Sequence, residues 1–128
     1  MKSTIIAVII AFVFIGGAMY FSRTSSASNN EPTKDNVTVV SGTQYIDLTA
    51  KGGYTPRKSI AKAGIPTVLR VNTSGTFDCS ASIRIPTMNI SKNLPQTGVT
   101  EIALASPEVG ILRGTCGMGM YPFEINFQ

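Results

Sequence analysis

Three sulfur-bearing residues stand close together near the end of the chain, on a loop rich in glycine. Cys116, Met118 and Met120 alternate with Gly117 and Gly119. Thiols and thioethers are soft ligands that suit thiophilic metal ions, and glycine lets a backbone fold tightly enough to aim several side chains at one point. The 128 residues include no histidine, so a metal centre built on imidazole is excluded and sulfur must carry any coordination.

Cys79 is the only other cysteine, and the residues alone leave three interpretations of the pair open. An exported chain with an even number of cysteines commonly joins them in a structural disulfide. Two buried free thiols fit less well, because both cysteines stand among turn residues. Metal ligation is favoured by the glycine-spaced methionines after Cys116, although Met118 and Met120 also fit core filling, since methionine packs irregular gaps.

The elements that must position these sulfurs are strands and turns, without a long stretch of apolar residues at helical spacing in this part of the chain. The last segment is the clearest, because Phe123, Ile125 and Phe127 alternate with polar residues. Similar alternation marks segments 45–50, 67–73, 83–85 and 100–104, and glycine and proline turns separate them. The pattern predicts an all-β domain of six or seven short strands, arranged as a Greek-key β-sandwich or small barrel.

The N-terminal segment is of a different kind. Thr4 to Phe21 is eighteen residues without a charge, between Lys2 and Arg23. Its length predicts a single hydrophobic helix that anchors the chain in a membrane, with a cleaved signal as the alternative. The predicted organisation is an anchor or signal at 1–23, a flexible linker at 24–36 and a β domain at 37–128. The domain is expected on the extracytoplasmic or periplasmic side, or secreted if the segment is cleaved.

Charge and residue types exclude several function classes. Nine of the eleven Lys and Arg residues follow the N-terminal segment and are scattered among seven Asp and Glu without forming a basic cluster, so a nucleic-acid partner is not expected. Without histidine, and with dispersed carboxylates, neither a Ser/His/Asp arrangement nor a paired-carboxylate site is available. The sequence predicts that the protein is not an enzyme and has no organic substrate.

The chain from about Gln44 onward resembles the cupredoxin-like domains, particularly the EfeO-type and heavy-metal-transport, plastocyanin-like members. The segments that carry the resemblance are 51–56 (KGGYTP), 63–66 (AGIP), 75–79 (GTFDC), 83–86 (IRIP), 92–95 (KNLP) and 116–121 (CGMGMY). The resemblance implies that Cys79 occupies the first ligand position, that Cys116 is the thiolate ligand and that Met120 is the thioether ligand. Met118 is the nearest substitute for an imidazole ligand that the loop is too short to hold.

The departures from that family's blue-copper site indicate a different use of the metal. A blue-copper electron carrier needs two imidazoles, and both are missing. Cysteine and methionine ligands favour Cu(I), or Ag(I), over Cu(II). We therefore expect copper holding or transfer, with a metal-delivery or metal-transport protein as a partner. The alternatives are a metal-free interaction sandwich with a Cys79–Cys116 disulfide, and an atypical electron-transfer cupredoxin.

Overall fold

A computed structural model describes residues 5–13 and 32–128 of the chain. Residues 5–13 are helical and exposed, and the remainder of the predicted anchor (4–21) lies outside the described residues, as does most of the predicted linker. Among the described helices, none combines the length and apolar character needed to cross a bilayer.

The rest of the described chain is a mostly β-sandwich of two five-stranded sheets. One sheet has the order β1-β2-β5-β8, with β3 paired to β2, and the other has the order β4-β10-β9-β6-β7. The strands are β1 (Val37–Val40), β2 (Thr43–Ala50), β3 (Tyr54–Thr55), β4 (Lys58–Ala61), β5 (Thr67–Thr73), β6 (Ser82–Ile85), β7 (Ile90–Asn93), β8 (Gly98–Ala103), β9 (Gly110–Cys116) and β10 (Phe123–Phe127). Two short 3₁₀ helices, Cys79–Ala81 and Pro86–Met88, flank β6.

Alternation along the strands places one face of each sheet in a shared core. Ile46, Leu48 and Ala50 of β2 are buried, as predicted, and so are the three alternate residues of β10. Burial of such side chains stabilises a domain by about 1.5–3 kcal/mol each relative to exposure. The core consists of Ile46, Leu48, Ala50, Tyr54, Ala61, Leu69, Val71, Ile83, Ile85, Leu94, Ile102, Leu104, Cys116, Phe123, Ile125 and Phe127.

The strand count is the main correction to the sequence prediction. Ten strands are present in the described part of the chain, against the six or seven expected. The additional strands include β1, β3 and β7, which are two to four residues long and are mostly exposed, so they carry little of the apolar alternation on which the prediction depended.

The end of the predicted linker contacts the sandwich. Thr33 forms an isolated parallel bridge with Ser59 of β4. The Asn36 side-chain amide donates to the Asp47 carbonyl and to the Ser59 hydroxyl, each at 2.9 Å. Residues 33–36 therefore pack against the β domain.

Candidate metal site

The fold brings the two cysteines together at one end of the sandwich. Cys79 opens the first 3₁₀ helix, and Cys116 is the last residue of β9, the strand that pairs with β6. Although they are 37 positions apart in sequence, their Cα atoms are 5.6 Å apart and their sulfurs form a disulfide. Neither cysteine is free, so the interpretation as two separate buried thiols is wrong for this structure. The two cysteines are close enough for either of the remaining interpretations, a structural disulfide or shared ligation of a metal ion.

Asp78 fixes the backbone that presents Cys79. Its side chain caps the 3₁₀ helix by accepting a hydrogen bond from the Ser80 N–H at 2.7 Å, and it also accepts from the Ser80 hydroxyl. Its second oxygen accepts from the Gly52 N–H at 2.7 Å, which ties the helix to the β2–β3 turn. The Ser80 and Gly52 hydrogen bonds hold the pKa of the Asp78 carboxyl below its ordinary value.

Ser82 links the two cysteine-bearing segments. Its hydroxyl accepts from the Gly117 N–H at 3.0 Å and lies 3.5 Å from the Cys79 carbonyl, to which it donates weakly. The next residue along β6, Ile83, is the cross-strand partner of Cys116. One side chain on β6 thus holds the residue after Cys116 and the backbone of Cys79 in a fixed relation.

A tight turn carries the two methionines from β9 to β10. The Gly119 N–H donates to the Cys116 carbonyl at 3.0 Å, and the Cys116 N–H donates to the Tyr121 carbonyl at 3.3 Å. Gly119 has φ +77°, a conformation that residues with a Cβ adopt at a cost. Gly117 lies so close to β6 that an added Cβ would be 2.5 Å from the Ser82 hydroxyl oxygen. The structure therefore explains why glycine occupies positions 117 and 119, the two positions that were predicted to shape the loop.

The methionine side chains project into solvent. Met118 is 81% exposed and Met120 is 62% exposed, so neither fills the core. The Met118 backbone N–H lies 3.4 Å from the Cys79 sulfur and donates to it, which places the loop directly over the disulfide. The structure joins Cys79 to Cys116 and positions Met118 beside Cys79, while metal ligation by Met118 and Met120 stays a prediction.

The site rests on a buried aromatic pair. The Tyr54 and Phe123 rings meet edge to face with centroids 5.0 Å apart. The Tyr54 hydroxyl donates to the Ser82 carbonyl at 2.7 Å, directly below the segment that positions the cysteines. Burial raises the pKa of Tyr54, with a further increase from the negative charge of Asp78.

The chemistry available at this end depends on the redox state of the cysteines. In the disulfide neither sulfur is a thiolate, whereas the reduced pair would offer two soft anionic ligands beside exposed thioethers. Within the described residues, no group of three or more His, Cys, Asp or Glu side chains could hold a metal ion. The cysteine and methionine sulfurs would suit a thiophilic ion of low coordination number, but only after the disulfide is reduced.

The sulfur-bearing residues are recognisable in the sequence, but the residues that position them are not. Ser82 and Tyr54 act on the site from β6 and β3, and their roles depend on cross-strand register that a single sequence does not display. Gly117 was predicted only to shape the loop, and its close approach to Ser82 is visible only in the structure.

Known proteins with similar folds include copper-binding domains. The metal-binding domain of the Cu(I)-exporting P-type ATPase CopA of Streptococcus pneumoniae D39, determined with Cu(I), is 22% identical and has a TM-score of 0.69, covering 77% of this chain and 97% of that domain. A copper binding protein determined by NMR in the apo form is 21% identical and has a TM-score of 0.67, with the same coverage of 77% and 97%. At these identities the similarity establishes the fold.

Family assignment comes from the sequence model of the cupredoxin-like domain, which matches residues 8–125. No curated protein matches the chain. Membership of the EfeO-type subgroup stays a prediction. The match covers most of the chain and agrees with the two-sheet sandwich, so the chain belongs to the cupredoxin-like domain family.

Proposed function

We propose that this protein captures Cu(I), or a similarly thiophilic ion such as Ag(I), and holds it for transfer to another protein. The proposed ligands are Cys79, Cys116 and Met120, with Met118 as a further candidate. The metal is cargo, and the proposal involves binding without chemistry on an organic substrate.

One observation carries the proposal. Two cysteines that are 37 residues apart meet at the end of the sandwich, beneath a loop that exposes two methionines. A disulfide needed only for stability would not require exposed thioethers beside it, because an exposed methionine buries little apolar surface. The structural similarity to domains described as copper-binding is consistent with this interpretation.

The cargo-binding form is the reduced one. Two-electron reduction of the disulfide yields two thiols, and each must lose its proton to bind a metal ion. We therefore expect affinity for Cu(I) to decrease as the pH falls. The total absence of histidine makes a blue-copper electron-transfer centre the weaker proposal, because the imidazoles that serve both oxidation states are missing.

Transfer to a partner would proceed by exchange of one sulfur ligand at a time. The exposed methionines are the ligands that an acceptor can displace first, since reaching them requires no opening of the core. We propose that the acceptor is a metal-delivery or metal-transport protein. We also propose that residues 4–21 anchor the chain in a membrane with the domain on the extracytoplasmic side, on the basis of the uncharged eighteen-residue segment.

A second candidate function has direct support from the disulfide itself. A permanently closed Cys79–Cys116 bond would make the domain a stapled interaction module without metal. Counting reactive thiols on freshly exported protein separates the candidates. Thiols that appear without added reductant, and that Cu(I) protects from alkylation, support the metal site, whereas their absence supports the staple.

Competition for Cu(I) against a chromogenic chelator, under anaerobic conditions, tests the proposed ligands. We expect Cys79→Ser and Cys116→Ser to lose most of the affinity, and Met118→Ala or Met120→Ala to lose less. Met88→Ala is the matched control, because Met88 is a partly buried methionine that packs against the core. The proposal fails if either cysteine variant of the reduced protein retains the wild-type affinity.

A further inference from the structure

The two sulfurs of the disulfide differ in their access to solvent. Cys116 is 0% exposed and belongs to the hydrophobic core, whereas Cys79 is only partly buried. Cys79 also lines an open surface groove, together with Phe77, Asp78, Leu94 and Met118. Cys116 contributes to a second depression, but its complete burial leaves no sulfur surface there.

Two largely exposed apolar side chains line the groove together with Cys79. Phe77 is 77% exposed and Met118 is 81% exposed. The Met118 N–H that donates to the Cys79 sulfur would stabilise negative charge on that sulfur when the disulfide opens or re-forms. The carboxylate of Asp78, next to Cys79, is held by Gly52 and Ser80 and is directed into those hydrogen bonds.

We propose that Cys79 is the site of thiol–disulfide exchange, through which an external thiol switches the domain between its closed and metal-binding forms. This inference deepens the proposed function, because it names the regulation of the same site. The thiolate of the reductant attacks the Cys79 sulfur, a new S–S bond forms between them, and the Cys79–Cys116 bond breaks. Cys116 leaves with the electron pair and takes a proton.

A second thiol completes the reduction. It attacks the reductant's sulfur in the mixed disulfide, which releases Cys79 as a thiolate and leaves the reductant as a disulfide. In total the domain gains two electrons and two protons, and two reductant thiols lose them. A dithiol supplies both sulfurs in one molecule, so a dithiol protein or small-molecule dithiol is the expected class of reductant.

The accessibility of the attacked sulfur favours attack on Cys79, whereas the stability of the departing thiolate favours attack on Cys116. Attack on Cys116 would expel Cys79, whose sulfur the Met118 N–H stabilises, and a stabilised thiolate leaves faster. That route requires a nucleophile to reach a sulfur with no exposed surface, so the core would have to open first. Access therefore decides the direction, and the entering thiol bonds to Cys79.

Brief exposure of the wild-type disulfide protein to glutathione tests the direction directly. The reaction is stopped by rapid acidification, the protein is unfolded in denaturant and alkylated with N-ethylmaleimide near neutral pH, and the modified residues are mapped by mass spectrometry. We expect glutathione on Cys79 and the maleimide on Cys116. Glutathione predominantly on Cys116 would overturn the proposal, as would an equal distribution between the two residues.

Single-cysteine variants provide a second measurement. With 5,5′-dithiobis(2-nitrobenzoate), we expect Cys79 in the Cys116→Ser variant to react faster than Cys116 in the Cys79→Ser variant, by about tenfold or more. In denaturant the two rates should converge, which controls for unequal folding. Equal rates in the folded variants contradict the proposal.

These outcomes are independent of copper. Exchange at Cys79 with no uptake of Cu(I) by the reduced protein would leave Cys79 as the site of exchange, but it would end the proposed function and with it the role of the exchange in metal binding. Uptake of Cu(I) with exchange at Cys116 would overturn the present inference and leave the proposed function standing.

Discussion

The contact between Gly117 and Ser82 gives the sharpest prediction about how the site is held. In Gly117→Ala the added Cβ would be 2.5 Å from the Ser82 hydroxyl oxygen, closer than real Cβ contacts. The hydroxyl must rotate away, and it then loses the hydrogen bond from the Gly117 N–H. We expect the variant to be less stable than wild type by about 2 kcal/mol, from one lost hydrogen bond and local overpacking.

Removal of the hydroxyl should relieve the same contact. Ser82→Ala alone should cost about 1 kcal/mol, because it leaves the Gly117 N–H without its acceptor. In the double variant the new Cβ would meet only the β carbon of residue 82, at 3.6 Å, which is an ordinary contact. The double variant should therefore cost about 1 kcal/mol, not the sum of about 3 kcal/mol, so the coupling free energy is about 2 kcal/mol.

Urea unfolding of the four proteins with the disulfide intact measures this coupling. Gly119→Ala is the matched control, because it introduces the same methyl group where nothing lies within 4 Å and its cost comes from φ +77°. Ser82→Ala should not rescue Gly119→Ala. Additive effects of Gly117→Ala and Ser82→Ala would refute the proposed close approach between the loop and β6.

Three further predictions concern the supports of the site. The raised pKa of Tyr54 should make the domain lose stability as the pH rises above about 10, since deprotonation is more costly in the folded state, and Tyr54→Phe should remove this loss in pH-dependent thermal melts. The lowered pKa of Asp78 acts in the opposite sense, so its stabilisation should be present above about pH 4 and lost below it, and Asp78→Asn should flatten that part of the profile. Gly114→Ala would place a Cβ 2.1 Å from the ring of Phe123, and we expect a loss of more than about 3 kcal/mol in urea unfolding that Phe123→Leu partly restores. A pH-independent difference between wild type and either titration variant, or a stable Gly114→Ala protein, would contradict the respective prediction.

Strands with strong alternation were predictable from the sequence. The pattern around Thr67–Thr73 predicted β5 with its observed bounds, because every second residue there faces the core. The short edge strands β1 and β7 were not, because an exposed strand of four residues is defined by its pairing partner and not by its own side chains. The Greek-key connection expected from the strand spacing stays a prediction.

The site was partly predictable for a similar reason. Cysteine and methionine types are visible in a sequence, and the family resemblance implied that Cys79 and Cys116 meet, which the structure confirms. The link that the Ser82 hydroxyl makes to Gly117 depends on distances across β6 and β9. A single sequence contains no information on such distances, so the geometry of the site had to come from the fold.

Anaerobic titration of the same protein with Cu(I), in its disulfide form and after reduction, tests the central claim most directly. Bound copper is measured against a competing chelator, and free thiols are counted in parallel. We predict that the reduced protein takes up Cu(I) with loss of both reactive thiols and that the disulfide form takes up far less. Equal uptake by the two forms, or no uptake by the reduced one, would contradict a site built on Cys79 and Cys116.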